Sequence, residues 1–214
     1  MDRLFLAFLL IVAGLPMARN VAATEDPPKP QPAPAPIPKP APVVLDPATA
    51  GKLREIAFEA AREGDAKTLT EYFKAGQPAE IVNKRGDSLL ILAAYHGHDD
   101  AVKAILSQPK TPIDARNKMG FTALTGASYK GYIGIVKQLA AKKADLNAAN
   151  DRGQTPLMFA ALFGRTEVVR YLVDRKVNLS ARDDAGKTAR DLAASQGNAE
   201  VVKILEAAEK PPVE

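Results

Sequence analysis

The chain has no cysteine, no tryptophan and only two histidines, and each shortage removes a class of chemistry. Without cysteine there is no disulfide scaffold, thiolate metal site, cysteine nucleophile or lipid-modified cysteine. Two histidines leave a His-built zinc or catalytic site almost no ligands. Charge is equally unspecialised: a net +4 over 214 residues, spread along the sequence, reads as solubility and argues against a nucleic-acid partner. What remains, 46% hydrophobic and 25% charged, suffices for one packed domain with extensions.

Three zones follow one another. Residues 1–23 read as an export signal: Arg3, an unbroken apolar run from Leu4 to Leu15, the helix-breaking Pro16, then Val21-Ala22-Ala23 as a cleavage site before Thr24. That run is shorter than the roughly 20 residues a spanning helix needs, which favours cleavage after Ala23 and a periplasmic or secreted product. Asp2 weakens the positive start, and the alternative is an uncleaved anchor that holds the chain at the inner membrane facing the periplasm. Residues 24–47 read as a linker, in which nearly every second position from Pro27 to Pro47 is proline. Proline fixes φ and donates no hydrogen bond, so this stretch is expected as an extended spacer, about 50 Å over residues 27–42 at 3.1 Å per residue.

Residues 48–210 are periodic. Gly64, Gly97, Gly131, Gly164 and Gly197 form one ladder, its steps equal but for a single extra position between Gly97 and Gly131. Gly86, Gly120, Gly153 and Gly186 form a second ladder, each at the same offset ahead of a member of the first. A period near 33 predicts stacked units, divided here as about 53–82, 83–116, 117–149, 150–182 and 183–210. Each unit reads as turn, helix, turn, helix. The second-ladder glycine permits a tight turn, and Ser88, Thr122, Thr155 or Thr188 just after it caps the first helix. Pro156 takes the first helical position, and the first-ladder glycine ends that helix in a left-handed conformation. Small pairs such as Ala93-Ala94 and Ala127-Ser128 let neighbouring helices approach. Second helices carry one apolar stripe each, as in Val102/Ile105/Leu106 and Val169/Leu172/Val173.

This pattern resembles the ankyrin repeat. The resemblance rests on the period, on Gly153-Gln154-Thr155-Pro156-Leu157, on Gly97-His98 and on the closing V-V-x-x-L. It covers about residues 53–208 and implies an all-α solenoid of about five repeats, with Gly97, Gly131, Gly153, Thr155, Pro156, Gly164, Gly186 and Gly197 as structural residues. It also implies non-enzymatic binding of a protein partner, with no cofactor and no small-molecule substrate. The sequence departs from the family where a histidine follows T-P-L: Ile91, Thr125, Met158 and Asp191 stand there instead. The first unit lacks the turn glycine and the last has Arg190 in place of leucine, as terminal caps require.

No catalytic constellation emerges. His96 and His98 lack partners at a motif spacing, and His98 stands at the structural Gly-His position. Gly126 to Gly131 has phosphate-loop glycine spacing, but Tyr132-Ile133 replaces the required Lys-Ser/Thr. Asp183-Asp184 reads as turn chemistry and Asn178-Leu179-Ser180 as a sequon relevant only in a eukaryotic secretory pathway. Lys103, Lys137, Arg170 and Lys203 recur as a solvated basic row. The resemblance places binding on the turn tips and on the residues before each first-ladder glycine. The candidates are therefore Tyr95, His96, Met119, Phe121, Tyr129, Lys130, Arg152, Leu162 and Phe163. Phe121 and Phe163 are expected to be open; Tyr95, Tyr129 and Leu162 suit a groove or a helix interface equally. An adaptor is the leading expectation, with a tethered envelope scaffold or a protective factor for an exported enzyme as alternatives.

Overall fold

The computed structural model describes residues 46–210; the signal and nearly all of the linker expected from the sequence lie outside them. The described residues form ten helices: α1 (Pro47–Glu63), α2 (Ala66–Lys74), α3 (Leu89–His96), α4 (Asp99–Leu106), α5 (Ala123–Lys130), α6 (Ile133–Ala141), α7 (Pro156–Leu162), α8 (Thr166–Asp174), α9 (Ala189–Ser195) and α10 (Ala199–Glu209). Odd-numbered helices stack in one layer and even-numbered ones in a second, with each pair joined at a left-handed glycine. The single bridge among the described residues pairs Val82 with Ser88.

Pro47, assigned to the linker by composition, instead opens α1. Asp46 caps that helix by accepting from Ala48 N at 3.1 Å and Thr49 N at 3.0 Å, and the missing N–H of Pro47 costs nothing in the first turn. The first helix is the longest of the odd-numbered ones, more than twice the length of α7 or α9, and shields one end of the stack.

Local chemistry sets each unit. Ser88, Thr122, Thr155 and Thr188 accept from the backbone N–H three residues on, at 3.1 to 3.3 Å. Asn83, Asn117, Asn150 and Asp183 hold the turns: in each, one side-chain oxygen accepts from the backbone N–H groups two and four residues on. Successive turns then join, as Lys118 N donates to Arg85 O and Asp184 N to Arg152 O. In place of the family histidine, Asp191 accepts from Thr188 N at 3.0 Å and Thr125 Oγ1 lies 3.1 Å from Thr122 Oγ1.

From the second unit on, the residue after the first-ladder glycine reaches back over the preceding repeat. His98 Nε2 meets Arg62 O at 2.8 Å, Arg165 Nε donates to Tyr129 O at 2.9 Å, and Asn198 Nδ2 donates to Ala161 O and Leu162 O. Tyr132 does the same work sterically: its ring lies where a Cβ on Gly97 would be only 2.6 Å away, and Gly97 has φ +84°.

Between the layers lies a continuous core including Leu69, Leu90, Ile105, Leu124, Leu139, Leu157, Leu172 and Leu205. The one-residue insertion at Pro109–Pro112 changes how the chain leaves α4. Lys143 and Lys176 take left-handed conformations at the matching loops, whereas the longer loop turns without a positive φ. At the far end Arg190 pairs with Glu209 at 2.8 Å, making the last face polar.

Candidate partner-binding groove

Residues of α3, α5 and the end of α7, together with Arg62 of α1 and the first two turns, enclose a groove of about 580 Å3. Such a volume falls within the range that accepts a ligand or a short peptide segment. Its floor is set by one register of the odd-numbered helices: Leu92, Gly126 and Phe159 hold equivalent positions in successive repeats, and all three line it. Gly126 lines the groove without a side chain. Its neighbours project side chains, whereas α5 carries none at that point; a Cβ there would stand in ordinary contact with Tyr95, 3.5 Å from its Cβ.

Aromatic side chains from four segments converge on this floor. Tyr95 stacks on Tyr129 with centroids 6.1 Å apart, and Tyr129 meets Phe163 edge-on at 4.5 Å. Phe121, from the second turn, packs edge-on against Phe159 at 5.4 Å. The Lys130 ammonium lies 4.7 Å from the Tyr95 centroid and 5.3 Å from that of Tyr129. Aromatic pairs and cation–π contacts of this kind fix ring orientation at little entropic cost, since tyrosine and phenylalanine have only two torsions to restrict.

Tyr95, Met119 and Phe163 are 40%, 50% and 42% exposed, so three of the six exposed large apolar residues among the described ones share a single groove. Tyr129 is half-buried between its two neighbours, which resolves its dual reading into wall and packing at once. Phe121, expected to be open, is half-buried because Phe159 covers one edge. Leu162 and Arg152 do not line the groove: Leu162 is half-buried on α7, and the third turn, which carries the exposed Arg152, supplies no wall residue. His96 does line it. Partial desolvation of its ring first, then the neighbouring His98, Arg62 and Lys130, hold its imidazole below the usual histidine range. Arg62, Asn117 and Phe159 belong to the wall and were missed; Phe159 was legible only as a residue one helical turn before Phe163.

The basic row is spread along the even-numbered helices and accompanied by acids: Arg170 pairs with Glu200 at 3.1 Å, and Asp99, on the helix of Lys103, accepts from Gln138 at 2.8 Å. Among the described residues no group of three or more His, Cys, Asp or Glu side chains is placed to hold a metal ion, and no helix is long and apolar enough to cross a membrane.

The family model for ankyrin repeats in three copies matches residues 57–150 and 134–211. The chain belongs to the ankyrin-repeat family. Ankyrin repeats generally mediate protein–protein interaction and are typically non-enzymatic. Among curated relatives, an ankyrin repeat protein of Pseudomonas aeruginosa is 46% identical over 46 residues, 22% of this chain and 27% of that protein. Alpha-latrocrustotoxin-Lt1a of Latrodectus tredecimguttatus is 43% identical over 61 residues, 28% of this chain and 4% of the toxin. The matched stretches thus span well under a third of either relative, as expected for a repeat that recurs in otherwise different proteins.

Proposed function

We propose that this ankyrin array is a non-enzymatic adaptor that holds a protein partner in the groove of α3, α5 and α7. The observation that carries the reading is the coincidence of a hollow at Gly126 with Tyr95, Met119 and Phe163 exposed around it. Exposed apolar side chains gathered around a concavity mark a binding surface, and aromatic and Met residues are typical anchors there. The groove wall presents mainly ring faces and apolar side chains, which suits the binding of a protein segment. We further propose that the apolar run Leu4–Leu15 exports the chain and that the proline-rich stretch spaces the groove from the N-terminus.

The test uses a full-length chain with a C-terminal tag, expressed in its host, crosslinked and purified. A dominant partner should appear with the wild type and be lost with Gly126→Leu, which fills the hollow from an ordinary helical position where the nearest atom leaves normal contact distance. Circular dichroism must show the variant folded. Retention of the same partner by folded Gly126→Leu and by Tyr95→Ser/Met119→Ser/Phe163→Ser would refute the groove as the binding site. The mass and N-terminal residue of the natural protein test export: a start at Thr24 supports cleavage, whereas retained residues 1–23 support the tethered alternative.

A further inference from the structure

We infer that the groove takes an acidic peptide segment bearing an apolar or aromatic anchor, an inference that rests on the binding reading above and specifies its ligand. The charge on the walls comes first. Arg62 and Arg85 line the groove, Lys130 reaches it over the Tyr95 and Tyr129 rings, and among the described residues Asp87 is the only carboxylate lining it. That carboxylate is already satisfied inward: it is 5% exposed, accepts from Asn117 Nδ2 at 2.8 Å and Asn83 Nδ2 at 3.2 Å, and lies 3.6 Å from Arg85 Nε. Arg62 pairs with Glu59, which is outside the wall. An occupant therefore meets ring faces, the Lys130 ammonium and two arginines already paired within the protein, with no free carboxylate, and complementary charge on it both steers the encounter and rejects basic competitors.

Lys130 decides between the two charges an aromatic floor could attract. Ring faces draw cations, so an uncovered floor would suit a lysine or arginine of the partner. Here the Lys130 ammonium already sits over Tyr95 and Tyr129. A second cation would be repelled at that place, while an ammonium retains donors for a carboxylate. The groove floor at Gly126 seats the apolar anchor, and Arg85 and Lys130, from successive units, receive the flanking acids.

The probe is a display library of random twelve-residue peptides, panned on the full-length chain immobilised through its C-terminal tag. The expected winners carry Asp or Glu beside Trp, Phe or Leu. A fluorescent synthetic copy of the best should bind with strong salt dependence. Lys130→Glu and Arg85→Glu should each weaken it about tenfold or more, with Lys130→Met intermediate because the apolar stem is kept. Matching circular dichroism and melting curves establish that each variant is folded. Winners that are basic or uncharged, yet lost in the Tyr95→Ser/Met119→Ser/Phe163→Ser variant, overturn the acidic ligand and leave the groove as the site. Winners retained by that triple variant overturn both. Failure to enrich any peptide over a blank surface overturns this inference alone, leaving the groove reading to the crosslinking experiment.

Discussion

Ser128 lies in the middle of the stack with its hydroxyl oxygen enclosed, 0% of the residue exposed, and no hydrogen-bond partner among the described residues. It stands in α5 at the register of Ala94 in α3 and Ala161 in α7, both also 0% exposed. The same place is thus filled elsewhere by a methyl group without any loss of packing. An unsatisfied buried hydroxyl costs about 1–3 kcal/mol, and alanine is also the better helix former by up to about 0.5 kcal/mol. Ser128→Ala should therefore stabilise the array by about 1–2 kcal/mol, raising the melting temperature by about 3–6 °C for a domain of this size. Urea unfolding followed by circular dichroism and by tyrosine fluorescence gives the measurement, with coincident transitions and an unchanged slope needed to read it as stability. Ser128→Val should go the other way by about 1–3 kcal/mol, because extra volume must enter a closed helix interface. A lower midpoint for Ser128→Ala would refute the reasoning and mean that the hydroxyl has a partner.

Two further outcomes follow from geometry and charge. Gly97→Ala places an L-residue at φ +84° and a Cβ 2.6 Å from the Tyr132 ring, whereas Gly197→Ala at φ +73° meets nothing within 4 Å. Both should lose about 1–2 kcal/mol from the left-handed backbone, and Gly97→Ala more, measured by chemical denaturation; equal losses would show that the ring moves freely. His96 is held below the ordinary histidine pKa of 6.5, chiefly by partial desolvation and then by His98, Arg62 and Lys130. The unfolded chain therefore protonates first as pH falls. Stability from this group is complete above 6.5 and declines as pH drops through that value toward the lower folded pKa. Wild type should consequently lose more stability than His96→Gln between neutral and mildly acidic pH at fixed ionic strength. A larger loss in the variant would mean that an anion faces the imidazole.

The fold was legible because its signals are local. A cap hydroxyl acts on an N–H within the next helical turn, a left-handed glycine acts on its own backbone, and an apolar stripe reports the helix that carries it. Arg165 and Asn198 were not legible as counterparts of His98, because guanidinium, amide and imidazole share no residue pattern; what they share is reach toward a carbonyl in the preceding repeat. The left-handed Lys143 and Lys176 were missed for the opposite reason, since lysine rarely marks such a conformation.

The candidate site was legible only in part. Aromatic residues before the first-ladder glycines pointed to the side of the stack that carries the groove, but exposure depended on neighbours from other repeats. Phe159 covers an edge of Phe121, and the groove ends before Arg152 because the third turn adds nothing to its wall. By itself the sequence determined the period, the caps, the turns and hence the ankyrin stack, since each is a constraint on a few consecutive residues. Only the tertiary structure decided the groove. Its floor combines Leu92, the bare Gly126 and Phe159, and its charge comes from Arg62, Arg85 and Lys130, which packing alone brings together from three successive units.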